Sequence, residues 1–303
     1  MFGADDNLQH AAADGEFAYA ARSQAVTLRV PAMSPHAALL RHGRVLRYAQ
    51  SPSAFARDDA DARARVRQTL GYTLFLYALL GLALVGSIPV LALAVAVPLV
   101  YVRLSLALHE LMHVRTASRV PAFHRLAMIF DTPLGLGYRE HRAIHLAHHR
   151  YTATTRDPEL YQIRGGHLRA LLCATISPER HLVTWIRRRG ISRALAVEGA
   201  VRFALFCVLA LANPAVFFAY WATLRASIGG ASFVFHHLLH SRGAELGNFP
   251  LPFGPGVLRF ARTAFGQEPV IILTEHRAHH LWPTVRARDL PRLALARRLS
   301  SGS

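Results

Sequence analysis

The sequence predicts an all-α integral membrane protein, with four transmembrane helices in two hairpins and a histidine-rich helical cap on the cytoplasmic side. Three observations predict it. The chain is 52% hydrophobic and only 17% charged, with mean hydropathy +0.22, whereas a soluble domain carries about 25% charged residues. Its apolar residues gather into paired runs joined by short uncharged breaks. Twelve of its 18 histidines fall into four tight groups, at the polar ends of those runs or in the polar segments beside them.

Residues 1–66 are polar, contain arginines and are interrupted by Pro31, Pro35 and Pro52, so they read as a cytoplasmic arm with one amphipathic piece, Ala37 to Tyr48. Asp5, Asp6, Asp14 and Glu16 without an early apolar run exclude a signal peptide. The membrane domain follows over residues 67–285, with spans at 70–86, 89–108, 198–212 and 214–235. Gly86-Ser87-Ile88-Pro89 breaks the first pair and Ala212-Asn213-Pro214 the second. Neither break carries charge, so both are expected on the translocated side, with the termini and the central segment cytoplasmic. The third span starts early enough to include Glu198 and Arg202, one turn apart and able to pair. Residues 114–197 are too polar to span, and their apolar stretch Leu126 to Leu136 reads as interfacial. Residues 286–303 form a basic amphipathic tail, with Leu290, Leu293 and Leu295 laid on the membrane surface. This topology fits a bacterial inner membrane.

Formal net charge is +17 and every basic residue is Arg. Such charge favours anionic lipid headgroups and acidic protein partners. Nucleic acid is not an expected partner, because the arginines flank apolar spans and no nucleic-acid-binding motif is present. Cys173 and Cys207 form no CxxC pair, so neither a disulfide framework nor a thiolate metal site is expected.

The histidines carry the chemistry. They group as His109-Glu-Leu-Met-His113, His141-Arg-Ala-Ile-His145-Leu-Ala-His148-His149, His236-His237-Leu-Leu-His240 and His276-Arg-Ala-His279-His280. Residues three and four apart share a helix face, so His109 and His113 point together. His145 shares a face with both His148 and His149, and His276 with both His279 and His280. The adjacent members diverge by ~100°, which lets one triplet feed two metals. A dinuclear site of neutral imidazoles follows, held by the cytoplasmic cap. HExxH alone also marks zinc metalloproteases, but that reading leaves most of the clustered histidines unexplained. A histidine-rich metal transporter is a more distant alternative, since it calls for ligands at mid-bilayer. His10, His36, His42, His124, His167 and His181 stand alone and read as surface residues.

The order HExxH, HxxHH, HxxHH, with paired spans before the first box and between the second and third, resembles the membrane fatty acid desaturase family. So do His148-His149-Arg-Tyr-Thr followed by Asp157-Pro158, Asn248-Phe-Pro-Leu-Pro252, and His279-His280-Leu-Trp-Pro283. The resemblance covers roughly residues 70–285. It implies two Fe ions held by His109, His113, His145, His148, His149, His276, His279 and His280. The family's ninth ligand lies in an Asn-x-x-x-His pattern, matched here by His240; the Asn position is His236, a departure that makes His236 a further candidate ligand.

The implied reaction is O2-dependent oxidation of an unactivated C–H bond in a lipid or acyl chain, foremost desaturation, with hydroxylation, ketolation or decarboxylation as alternatives on the same scaffold. No catalytic residue is expected beyond the ligands. Glu110, His141, Asp157, His237 and Glu275 are candidates to orient the ligating rings. Arg225, midway along the fourth span, is a candidate for a polar group of the substrate. No haem-binding or rubredoxin-like segment is present, so electrons are expected from a separate acidic donor such as a ferredoxin.

Overall fold

The computed structural model describes residues 59–114 and 134–300. Among these the protein is helical apart from one two-stranded ribbon. In chain order the helices are α1 (Asp59–Leu84), α2 (Leu91–Met112), α3 (Tyr138–Tyr151), α4 (Leu160–Ile163), α5 (His167–Thr175), α6 (Ser177–Arg189), α7 (Arg193–Ala212) and α8 (Pro214–Ser232). A π-helical segment, Phe233–Leu238, continues α8. The ribbon pairs β1 (Ser241–Arg242) with β2 (Glu245–Leu246) antiparallel, before α9 (Pro255–Phe265), α10 (Gln267–Thr274), α11 (His276–Leu281), a 3-10 turn (Ala287–Asp289) and α12 (Leu290–Ser300).

Helices form at all four predicted apolar runs, and local chemistry explains their ends. Gly86 adopts φ 74° just past α1, and Ser87 N–H donates to Leu82 O at 2.8 Å, the αL closure that glycine permits. Ser192 and Asn213 cap α7 and α8 by accepting from Leu195 and Val216 amides, and Pro214 opens α8.

The α2 helix is central. Its Leu93, Val97, Leu104, Leu108 and Leu111 are buried with Leu76 and Leu80 of α1 and with Val216, Tyr220, Leu224 and Ile228 of α8. The α7 helix joins α8 through an edge-to-face pair, Phe206 and Phe217. Helix α8 also comes close to α5 at Gly229, where a Cβ would run into Thr175. Outward faces stay apolar: Phe75, Val95, Val208, Leu211 and Phe218 are all exposed.

By length and composition two of these helices, α2 and α7, are long and apolar enough to cross a membrane. Helix α1 is diluted by Arg63, Arg65, Arg67 and Gln68, and α8 by Arg225 and several small polar residues.

Two sequence expectations need correction. Residues 59–66, assigned to the arm, are the first turns of α1; Arg65 fixes them by a bidentate pair to Glu268 at 2.6 Å for both contacts. The basic tail does not present all its leucines to a membrane. Leu290 and Leu293 are buried with Ile272, Val285 and Ala287, whereas Leu295 is exposed. Docking two leucines three residues apart onto an existing apolar patch removes each from water, at about 1.5–3 kcal/mol apiece. The amphipathic piece Ala37 to Tyr48, most of Leu126 to Leu136, and His10, His36, His42 and His124 lie outside the described residues.

Candidate metal centre

Two side chains dock the cap on the end of α2 through three hydrogen bonds. Tyr138 Oη donates to Leu111 O at 3.1 Å, Arg142 Nε to Met112 O at 2.8 Å, and Arg142 Nη2 to Val114 O at 3.3 Å. They bond carbonyls at and just past the helix end; Leu111 O also accepts from the Val114 amide at 3.2 Å. The HExxH turn of α2 and the HxxHH face of α3 are thereby held against each other.

The nine histidines implied as ligands come together in two adjoining groups. His109, His113, His145, His149 and His279 form the first, with ring centroids of neighbours 4.5–4.9 Å apart. His113 and His145 place their Nε2 atoms 2.9 Å apart, and His109 and His279 theirs 3.1 Å apart. His148, His240, His276 and His280 form the second, where His240 Nε2 lies 3.2 Å from His148 Nε2 and 3.0 Å from His276 Nε2. His149 of the first group stacks on His280 of the second at 4.1 Å. The adjacent pairs His148/His149 and His279/His280 are each split between the groups.

The donor set fits a pair of metal ions. In the second group three of the four outer ring nitrogens have partners: His148 Nδ1 faces both Asp157 oxygens at 3.0–3.1 Å, and His240 Nδ1 faces Gly247 O at 2.9 Å. His280 Nδ1 lies 3.0 Å from Thr152 Oγ1, whose own proton goes to the His148 carbonyl. Each of these rings therefore carries its proton on Nδ1 and turns the Nε2 lone pair inward. Lone pairs about 3 Å apart repel unless a cation lies between them. Imidazole nitrogens at ~2.0–2.1 Å from one metal and at right angles to each other are ~3 Å apart. Five of the rings are also driven toward the neutral form, the one that ligates. Burial first, then repulsion among neighbouring rings, pushes His145, His149, His240, His276 and His280 well below the usual histidine range. The described residues include two sets that could hold an ion: His109, His113, His149 and His279, and His148, His240 and His280.

A family model for the fatty acid desaturases matches residues 86–301. The chain belongs to the fatty acid desaturase family. No individual curated protein and no solved structure matches it significantly.

Several other predicted residues of this desaturase-family chain are placed differently from one another. Asp157 is buried on His148, and its carboxylate also accepts from the amides of Ala153 and Glu159 at 2.8 Å each. Ala153 takes φ 60° to reach it. Glu110 is fully buried, with Oε1 3.5 Å from His109 Nδ1 and Oε2 4.0 Å from Arg65 Nη2. Glu275 is half-buried and contributes its carbonyl to the His279 amide at the start of α11. His237 faces away from both groups, bonded to Ile163 O at 2.7 Å and to His167 at 2.8 Å. Arg225 pairs with Glu179 of α6 at 2.8 Å rather than lining the cavity under the metals.

His236 joins neither group. Its Nδ1 faces Ser232 O at 3.0 Å and its Nε2 contacts Glu159 Oε2 at 2.5 Å. It leaves the π-helical turn toward Glu159 instead of toward His240.

Glu159 was not singled out by the sequence reading, and His181 was read as a surface residue; both are buried. Glu159 stands among His148, His181 and His236, at 3.6, 3.9 and 2.5 Å. Burial alone would raise its pKa, but His236 and His148 outweigh burial and hold it well below the carboxylate range. Burial opposes charge on His236 too, and Glu159 overrides it, so His236 is raised. His181 is pushed down to about 4, and His141, in the cavity wall with a ring 6.1 Å from that of His181, is also lowered by burial. The available signal was the spacing Asp157-Pro158-Glu159 directly after a ligand box, in a chain with only 18 acidic residues.

Below the histidines lies a cavity of about 130 Å³. Its wall is apolar along Leu106, Met112, Leu136, Ile228 and Phe235, and polar around Glu159, Gln162, Ser177 and His181.

Proposed function

We propose that this chain is a membrane-bound di-iron oxygenase-type enzyme that desaturates a lipid or acyl chain. The observation that carries the reading is the split of two HxxHH triplets between adjoining imidazole groups, five rings and four, above one cavity. His109, His113, His145, His149 and His279 would hold one iron, and His148, His240, His276 and His280 the other. When bound, the iron pair with O2 supplies the power to take hydrogen from an unactivated C–H bond, which no acid or base side chain has. The balance is one –CH2–CH2– unit, O2, two electrons and two protons, giving –CH=CH– and two waters.

The protein's own residues do the rest. Asp157, Gly247 and Thr152 orient the ligating rings, and Glu110 stands beside His109. Leu106, Met112, Ile228 and Phe235 exclude water and position an apolar chain beside the ligands. The four helices α1, α2, α7 and α8 cross the bilayer as two hairpins, a topology supported by their exposed Phe75, Val95, Leu211 and Phe218 and by their uncharged turns. The metal site and termini then face the cytoplasm of a bacterial cell. Electrons arrive from a separate acidic carrier such as a ferredoxin, drawn to exposed Arg150, Arg164, Arg187 and Arg188 near the cap.

The test is expression of the intact chain against His145→Ala, with metal analysis and mass spectrometry of membrane lipids. Two irons per chain and products lacking two hydrogens support the reading. Products that gain one oxygen replace desaturation by hydroxylation on the same centre, and a single bound zinc overturns the di-iron assignment. Equal turnover with acidic and basic donors would remove the carrier proposal alone.

A further inference from the structure

The polar end of the cavity is not explained by an unfunctionalised hydrocarbon substrate. Gln162 is only 1% exposed, on the short helix α4, and it lines the cavity. Both amide atoms, Oε1 and Nε2, are buried with no hydrogen-bond partner among the described residues. Ser177, 5% exposed, lines the same wall, and so does Arg202, whose Nη1 is bonded to Gly135 O at 2.7 Å. A buried amide left without partners is costly, and this one belongs to the lining of the cavity that the proposed function assigns to the substrate.

The chemistry of the amide selects the partner. Nε2 needs an acceptor and Oε1 needs a donor. A methylene chain offers neither. A carboxylate or a ketone only accepts, and a carboxylate would also face Glu159, the buried acid in the same wall. A hydroxyl both donates and accepts. The geometry points to a hydroxyl-bearing chain as the substrate class, with Gln162 binding the hydroxyl and Ser177 beside it. This deepens the proposed function, and it rests on the cavity being the substrate chamber.

The experiment uses the full chain in nanodiscs. Straight-chain primary alcohols of graded length and their methyl ethers, which keep the acceptor and lose the donor, compete with a fluorescent chain for binding. One alcohol length is expected to bind on the order of tenfold more tightly than its ether. In Gln162→Leu that preference should fall to about one, with thermal stability unchanged or raised because an unsatisfied amide is gone. Should Gln162→Leu fail to fold, Gln162→Glu replaces the Nε2 donor with an acceptor and is expected to weaken alcohol binding. Equal binding of alcohols and ethers at every length, the result if Gln162 only holds water, overturns the inference, as does a preference that survives both variants. Because binding is read without turnover, iron content measured on the same sample separates a failure here from a failure of the di-iron assignment.

Discussion

The two imidazole groups differ in how they are held. The first has more rings, five, on the ends of α2, α3 and α11, and the carboxylate beside it, Glu110, stands 3.5 Å from His109 Nδ1. The second has four rings, but Asp157, Gly247 and Thr152 face three of their Nδ1 atoms at 2.9–3.1 Å, and Asp157 is itself pinned by two backbone amides. Three rings of the second group are fixed in orientation by a partner on Nδ1. Orientation by a bonded partner is worth about 10–100-fold in metal affinity, so this group is sensitive to changes outside its ligands.

The comparison can be broken in graded steps. The largest effect is expected from His145→Ala or His276→Ala, which removes a ring from one group each; loss of product formation, with iron content reduced toward one per chain, is the measurement. Next, Asp157→Asn should weaken iron retention about 10–100-fold under a chelator challenge, whereas Glu110→Gln should cost less. Equal losses would erase the distinction between the groups. Smaller still, Arg65→Ala removes the bidentate tie from α1 to Glu268 and should lower the melting temperature, with metal content nearly unchanged.

A pH effect sharpens the picture further. His181 is buried and its pKa is pushed from 6.5 to about 4. The unfolded chain therefore takes up this proton first, and stability falls as pH drops from about 6.5 toward 4. The lowered carboxylate of Glu159 acts in the same direction at the acid end, while the raised His236 opposes it. Melting temperature should decline over that window in the wild type and decline less in His181→Phe. An equal decline in both proteins would remove His181 from the group around Glu159.

Much of the centre was legible because it is local. A histidine every three or four residues on a helix fixes which rings point together without reference to the rest of the fold. The four apolar runs and their breaks were legible for the same reason, through Gly86, Asn213 and Pro214. Burial of the tail was not, because the spacing of Leu290 and Leu293 fits a lipid surface as well as it fits the patch around Ile272 and Val285. Nor was the role of Arg225, a charge in an apolar run whose partner, Glu179, is 46 residues away.

The sequence by itself determined the kind of site: which imidazoles share a face, and that adjacent ones diverge into different groups. Only the tertiary structure decided what surrounds them. Packing placed His236 on Glu159 while His240 joined the second group, and burial brought His181 and Gln162 to the cavity wall. The physical reason is range. Helical periodicity acts within one or two turns, whereas a buried acid among three histidines depends on four segments, far apart in the chain, packing at one point.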